Sequence, residues 1–558
     1  MSTSARTASS AALSRRDALK AAGVTAIAAA GATAIASGAT TPARAAEPAG
    51  ADAKAGTPIA AMPAFDAANL PDNTPSFLIA PEPITDFADT QEFDIVVVGA
   101  GNAGLAAAKA ALDAGAKVAV LVREGAAVAQ GMEAASIDLD KTSEAGIEAC
   151  VSMVIQTNDH RAHRDLVELW ARESSEAVRS FEDYVTTCGV EGTPIDYSVE
   201  YNGYPIYFHL ANYEQLDGGY ATVASAVSAQ LEKDGVSFFY NTPAVQLQKE
   251  GERVTGVIGE PDEGSYTLFK AAKGVILATG CYMNNPEMVA YYMPDCLGLK
   301  TGAVNKYGDG HRMGVWAGGH IENINHCKMV HEGLGGRRCD VPFMAVGRDG
   351  KRFMCEGPTM GYTSNYWHDA VQKSGDIKAG IFYQICDANW KAQGEEMVAV
   401  DPFNNDISTV NEERFVSGNT IEELGEAINA YCAENEIDWQ IDVAEFVKSV
   451  ERYNELVAAG ADDDFGKNPV YLKPIDTPPF YGIRRGDGGV AAILGGLVVD
   501  TNCQVLDDND EPIEGLFATG NVSGPFFGGV DYPMYIHGLS IGRALTTGYV
   551  AARYAASL

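Results

Sequence analysis

The sequence predicts an α/β fold, and three observations lead there. Between positions 93 and 122 an apolar strand, a glycine-rich turn, an Ala-rich helix and a second strand follow one another directly. Two later segments, KGVILATG and GLFATGN, repeat the pattern of a strand running into a small-residue turn. The chain has 558 residues, room for two or three domains and a large core.

The first unit starts with FDIVVV, Phe93 to Val98, apolar without alternation and so suited to a strand buried on both faces of a parallel sheet. Gly99-Ala100-Gly101-Asn102-Ala103-Gly104 follows as a G-x-G-x-x-G turn. Leu105 to Ala114 predicts a helix and Lys117 to Val122 a second strand. In that context Gly99 permits the turn, Gly101 lets backbone approach a pyrophosphate, and Gly104 lets helix and strand pack closely. Asn102 and Ala103 fall in the turn just before the helix, whose N-terminus offers free N–H groups and a positive dipole end to the anion. An acidic residue is expected near the end of the second strand to hold a ribose, and Glu124 is the candidate.

Further on, Ser237 to Tyr240 and the following residues to Val245 predict a strand and its edge, with Val254 to Gly259 completing a hairpin. Lys273 to Gly280 and Gly515 to Asn521 predict strands that end in glycine turns, and Tyr307-Gly308-Asp309-Gly310 lies between them. Ala244, Ala278, Thr279, Gly280, Asp309, Gly520 and Asn521 are the candidate cofactor contacts of these segments. A last helix is expected to start around Gly538. By themselves these residues indicate a dinucleotide and leave its identity open.

The N-terminus reads as an address. Ser14-Arg15-Arg16-Asp17-Ala18-Leu19-Lys20 is a twin-arginine signal, followed by a weakly apolar run and a small-x-small site at Ala43-Arg44-Ala45. Residues 1–45 are therefore expected to be an export signal, which places the mature chain at the cell envelope, periplasmic or extracellular side. The Ala- and Pro-rich stretch 46–90 predicts a linker. Lys and Arg number 40 against 75 Asp and Glu, a net charge of −35 that argues against nucleic acid as partner. The ten cysteines form no CxxC, no haem-attachment motif and no ferredoxin spacing. Cys327, Cys339 and Cys355 lie near one another in sequence but read as ordinary thiols, so no metal site is expected.

From about Phe93 to the C-terminus this ordered set of motifs resembles the flavoprotein family of fumarate reductase, succinate dehydrogenase, urocanate reductase and 3-ketosteroid dehydrogenase. The resemblance implies FAD, bound by a discontinuous Rossmann-like domain (91–325 and 475–558) with an α+β substrate-capping domain inserted at 326–474. It also implies that the last helix directs its N-terminus at the flavin, with Leu539, Ser540 and Ile541 offering N–H groups and Gly538 permitting close approach.

The carboxylate-binding members of that family grip their substrate with arginine and histidine. Here Tyr535 stands at the arginine position before the last helix. Ala492 stands at a histidine position before the Gly495-Gly496 turn, and Met360 at the proton-delivering arginine that follows Gly350 to Glu356. His331 is the histidine that remains. A C4 dicarboxylate would lack its charge-assisted partners. The Gly520-Asn521-Val522-Ser523 turn, Tyr532-Pro533, Gly538 and Ile541-Gly542 are closer to 3-ketosteroid dehydrogenases, and the whole resembles exported actinobacterial alkene reductases. The implied reaction is FAD-dependent reduction of an activated C=C bond in an enone or phenylpropenoid-like acceptor. Tyr535 or Tyr532, with the Gly538 N–H, would polarise the substrate; Tyr362, another tyrosine or His331 would supply the proton. His537 is a further candidate to face the substrate. Electrons would come from a separate donor, a membrane cytochrome or a flavin carrier protein. Two other readings stay open: a 3-ketosteroid dehydrogenase-like desaturase and a non-catalytic flavin-binding protein.

Overall fold

The computed structural model describes residues 74–558 apart from 298, 323–325, 330–340, 358–379, 401–406, 408–409, 411, 486–488 and 529–535. Its central sheet has eight strands, parallel at its centre and antiparallel where the hairpin and the strand Gln504–Leu506 join it. Strand β1 (Asp89–Val98) lies between β2 (Val118–Leu121) and β9 (Ser265–Leu277), in register Val96 with Ala119 and with Val275. Strand β6 (Ser237–Phe239) extends the sheet beside β2, and the strand Pro512–Ala518 extends it beside β9. The unbroken apolar run of β1 has its expected cause: Val96 and Val98 enter one buried cluster, Ile95 and Val97 another.

Helix α1 (Asn102–Asp113) follows β1 and starts three residues before the expected Leu105, because Gly101 already serves as its N-cap. The hairpin is also displaced. Its strands are β7 (Ala244–Glu250) and β8 (Arg253–Asp262), which joins the central sheet beside β9, whereas Ser237–Phe239 pairs with β2. Pro243, which has no N–H to give a ladder, separates the two strands.

A second, antiparallel sheet orders β3 (Glu133–Ile137), β5 (Tyr204–Asn212) and β4 (Ile195–Tyr201). Helix α2 (Arg164–Thr187) packs against β3. The C-terminal helix, α4 (Leu539–Ser557), lies against both α1 and β3, following α3 (Asp309–Trp316) in chain order. Its small residues make this possible. A Cβ at Gly542 would stand 1.9 Å from the Ala135 carbonyl oxygen, and one at Gly548 2.2 Å from that of Ala103.

The intervening chain builds a separate antiparallel sheet in the order Met344–Val346, Phe382–Cys386, Phe480–Arg485, Phe415–Gly418, with its own buried cluster around Tyr383, Trp439 and Phe446. The last 480–485 strand falls beyond position 474, the expected end of the insertion. Cys327–Met329, expected inside the insertion, pairs instead with Ala492–Leu494. These pairings connect residues far apart in sequence, which periodicity does not register. The expected linker also ends early. Phe77 is buried against Tyr291 and Tyr292, and β1 has begun by Asp89. Among the described residues no helix is long and apolar enough to cross a membrane.

Candidate functional site

At the carboxyl ends of β1 and β9 the described residues enclose a cavity of about 410 Å³, within the size range of cofactor sites. Its first wall is the turn after β1, with Gly99, Gly101, Asn102 and Ala103. A Cβ at Gly99, whose φ is +106°, would stand 2.5 Å from the Ala278 carbonyl oxygen. Gly104 does not line the cavity. A Cβ there would come within 1.9 Å of the Gly99 carbonyl oxygen, so its part is to seat α1 on the strand.

The second wall follows β9: Ala278, Thr279 and Gly280, with Ala244 at the start of β7. The Thr279 hydroxyl accepts the Gly310 N–H at 3.1 Å and so fixes the start of α3. Asp309, also on the cavity, is held by Arg123 at 2.5 Å and Arg312 at 2.6 Å. Glu124 lines the cavity next to Arg123.

The third wall is the start of α4 with Gly520 and Asn521. Gly538 is its N-cap in the left-handed region, at φ 71° and ψ 9°. Its carbonyl accepts the Ala135 N–H at 3.0 Å, which docks the helix start on β3. Gly538, Ser540 and Ile541 line the cavity. Leu539 does not; it is buried, and its N–H turns back to the Ile536 carbonyl at 3.4 Å. The expected row of three N–H groups is therefore reduced to Ser540 and Ile541. The His537 N–H donates to the Tyr197 hydroxyl at 3.2 Å and its ring meets the Tyr197 ring edge-on.

Further residues complete the wall, among them Cys281, Lys306, Met329 and Ala491, which sequence reasoning missed. Val128 to Glu133 line it, and Asn102 Nδ2 ties that segment to α1 by donating to the Gln130 carbonyl at 3.0 Å. Arg123, Cys281 and Lys306 are also there, each adjacent to a motif that was read. Met329, Ala491 and Ala492 complete an apolar side. Tyr532, Tyr535, Tyr362 and His331 lie outside the described residues, as do Met360 and Cys339.

Under the Gly495-Gly496 turn sits a buried polar group. His311 Nε2 bonds the Gly495 carbonyl at 3.0 Å, and Glu322 accepts the Gly496 N–H at 3.0 Å. Burial pushes His311 down to about 4, so its ring is neutral, and pushes the Glu322 carboxyl up to about 7. Arg543, in α4, is fully enclosed and donates to the Ser523 carbonyl at 2.6 Å and hydroxyl at 2.9 Å; burial lowers it to about 10. These contacts hold the 495–496 and 520–524 turns in place around the cavity.

Comparison with known proteins adds the family context. The family described as "FAD binding domain" matches residues 94–532. The chain is similar to vinyl phenol reductase of Lactiplantibacillus plantarum, 27% identical over 84% of this chain and 97% of the relative. It is 28% identical to urocanate reductase of Eggerthella lenta over 78% of this chain and 70% of that one. Among solved structures, the open conformation of a flavocytochrome c3 fumarate reductase aligns with a TM-score of 0.62 at 23% identity, covering 84% of this chain and 79% of that one. A 3-ketosteroid delta1-dehydrogenase from Sterolibacterium denitrificans aligns at 0.58 and 19% identity, covering 84% and 100%. These two likenesses show the fold.

Proposed function

The chain belongs to the FAD-binding-domain family, and from that premise we propose that it reduces an activated C=C bond in an acceptor other than a C4 dicarboxylate. It is an FAD-dependent oxidoreductase acting on CH–CH or C=C bonds, as its relatives are. The cavity fits FAD: the turn at Gly99 leaves no room for a side chain, and the N-termini of α1 and α4 both open onto it. These two helix starts would hold the negatively charged parts of the cofactor. FAD supplies hydride-transfer chemistry when bound.

The observation that carries the substrate reading is Ala492. It lines the cavity with a methyl group at the position where the resemblance to fumarate reductases places a carboxylate-binding histidine. Ala491 and Met329 line the same cavity. A dicarboxylate there forgoes a charge-assisted hydrogen bond, about 1.5–3 kcal/mol. The similarity to a vinyl phenol reductase supports an aryl alkene such as a phenylpropenoid, with an enone as the other acceptor class. Tyr535, Tyr532, Tyr362 and His331 are the proposed proton-handling groups, and the Gly538 N–H the proposed polarising donor. The electron donor is proposed to be a separate cytochrome or flavin carrier, and the twin-arginine segment to direct export; the first 45 residues fused to a reporter, with Arg15 and Arg16 changed to Lys, test the latter.

The main test is anaerobic reoxidation of the viologen-reduced, FAD-loaded protein by a panel of vinyl phenol, cinnamate, an enone and fumarate. Turnover of the aryl alkenes or the enone, with fumarate at least tenfold slower, is expected. Preferred turnover of fumarate removes the substrate argument. The Gly520-Asn521-Val522-Ser523 turn favours a second reading, desaturation of a 3-ketosteroid, and turnover in the oxidising direction alone would establish it.

A further inference from the structure

Lys306 lines the cofactor cavity from the loop that precedes α3. That loop is closed by reciprocal bonds. The Lys306 N–H donates to Asn284 Oδ1 at 2.9 Å, and the Asn284 N–H donates to the Lys306 carbonyl at 2.9 Å. Asn284 Nδ2 also donates to the Thr301 hydroxyl at 3.0 Å. The lysine side chain runs along Gly280: a Cβ at that glycine would stand 3.3 Å from Lys306 Cδ and 3.6 Å from Nζ. The ammonium is therefore held beside the glycine turn at the end of β9, next to the strand that carries the G-x-G-x-x-G turn.

Three carboxylates, Glu124, Glu133 and Asp309, line the cavity in a chain of net charge −35, and of these Asp309 is already paired with Arg123 and Arg312. Arg123, the other cation on the wall, is engaged by Asp309 at 2.5 Å. The Lys306 ammonium pairs with no carboxylate among the described residues. A pyrophosphate brings further negative charge to such a wall, and flavin reduction adds more. Both are opposed by the carboxylates and favoured by a cation close at hand.

We propose that Lys306 is the charge-neutralising residue for bound FAD, its ammonium donating to an anionic oxygen or nitrogen of the cofactor. The inference rests on FAD occupying this cavity. It is tested with full-length Lys306→Met, Lys306→Gln and Lys306→Arg, stripped of flavin and checked for native far-UV circular dichroism. FAD affinity is measured by fluorescence quenching at low and high salt, and the two-electron midpoint potential by dye equilibration. If the partner is phosphate, the neutral variants bind FAD about tenfold more weakly or worse, Lys306→Arg recovers most of the loss, and the midpoint stays put. If the partner is the reduced ring, affinity for oxidised FAD is kept and the midpoint falls, by about 30 mV for each tenfold loss of preference for the reduced form. Either result supports the assignment and locates the contact. Neutral variants with affinity within twofold of wild type and an unmoved midpoint overturn it. Wild-type protein that takes up no FAD overturns instead the reading on which it rests. Lys306→Gln carries the test if Lys306→Met does not fold.

Discussion

The cofactor cavity and the region from Val341 to Arg485 place their charged groups differently. Around the cavity, backbone meets backbone: Gly99 against Ala278, Gly104 against Gly99, Gly542 against Ala135. Arg123, Glu124, Glu133, Lys306 and Asp309 lie on the wall, with Glu322 and Arg543 enclosed behind the turns. In the other region charge is inside. Arg352 donates through Nε and Nη2 to Glu356 at 2.9 and 2.7 Å, and through Nη1 and Nη2 to Asp462 at 2.9 and 2.7 Å. Lys467 Nζ, also buried, donates to the Pro342 carbonyl at 2.6 Å and the Tyr453 hydroxyl at 3.1 Å. The Arg352 guanidinium lies over the rings of Tyr453 and Phe465. The difference teaches where a charge can serve a ligand. In the enclosed cluster every ionic group is satisfied by its neighbours and acts as a clasp; on the cavity wall Lys306 keeps a donor for something that enters.

The largest effect expected is at the clasp. Asp462→Ala leaves Arg352 with half of its carboxylate partners, and losing one member of a buried ion pair costs about 3–5 kcal/mol. A large drop in Tm with the spectrum of bound flavin kept in the surviving fraction is expected. An unchanged Tm would break the comparison, because the cluster would then be as dispensable as a surface pair.

Gly104→Ala comes next. Its methyl has no room beside the Gly99 carbonyl, and overpacking of this kind costs about 1–3 kcal/mol. Unlike the Asp462 variant, it should lower flavin occupancy together with Tm, because α1 and the turn must separate. Full occupancy at reduced Tm would show that the turn tolerates the shift.

Arg123→Met should affect the cavity alone. It frees the Asp309 carboxylate of one cation, and a weakening of FAD binding by about tenfold is expected from losing a charge-assisted contact. Calorimetric titration of the flavin-free protein with FAD gives the value, and an unchanged affinity would mean that Arg312 holds Asp309 sufficiently.

The smallest effect concerns His209, clasped between Glu182 at 2.8 Å and Asp196 at 2.9 Å. Burial opposes its charge, but the two carboxylates outweigh burial and raise it above its ordinary value. The resulting stability is fully present below the unfolded value near 6.5 and is lost as pH rises through the folded one. His209→Gln should therefore flatten the dependence of Tm on pH above about 6.5. A wild-type profile no steeper than the variant's would remove the linkage.

Much of the cofactor half was legible because its determinants are local. The β1 strand, the glycine turn and α1 follow one another in sequence, and Gly104 is needed by its contact with Gly99 inside that unit. Ala278 to Gly280 and Gly520 to Asn521 were readable for the same reason, each a glycine turn after an apolar strand. The linker was misread at its end because composition says nothing about a single anchoring aromatic such as Phe77. Leu539 was misread because helix register around a left-handed cap decides which N–H groups remain free.

The sequence by itself therefore determined the α/β class, the position of the dinucleotide turn and the residue types along the strand ends. Tertiary structure decided what those ends face. Only the packing of α4 on Ala103 and Ala135 places Ser540 and Ile541 on the cavity. Only the pairing of Cys327–Met329 with Ala492–Leu494 joins the strands that carry Met329 and Ala492 to the wall. Only the Asn284 bonds aim the 306 loop along Gly280. The physical reason is common to all three: strand period, turn chemistry and capping act over a few residues, while a site's walls meet through contacts between segments far apart along the chain.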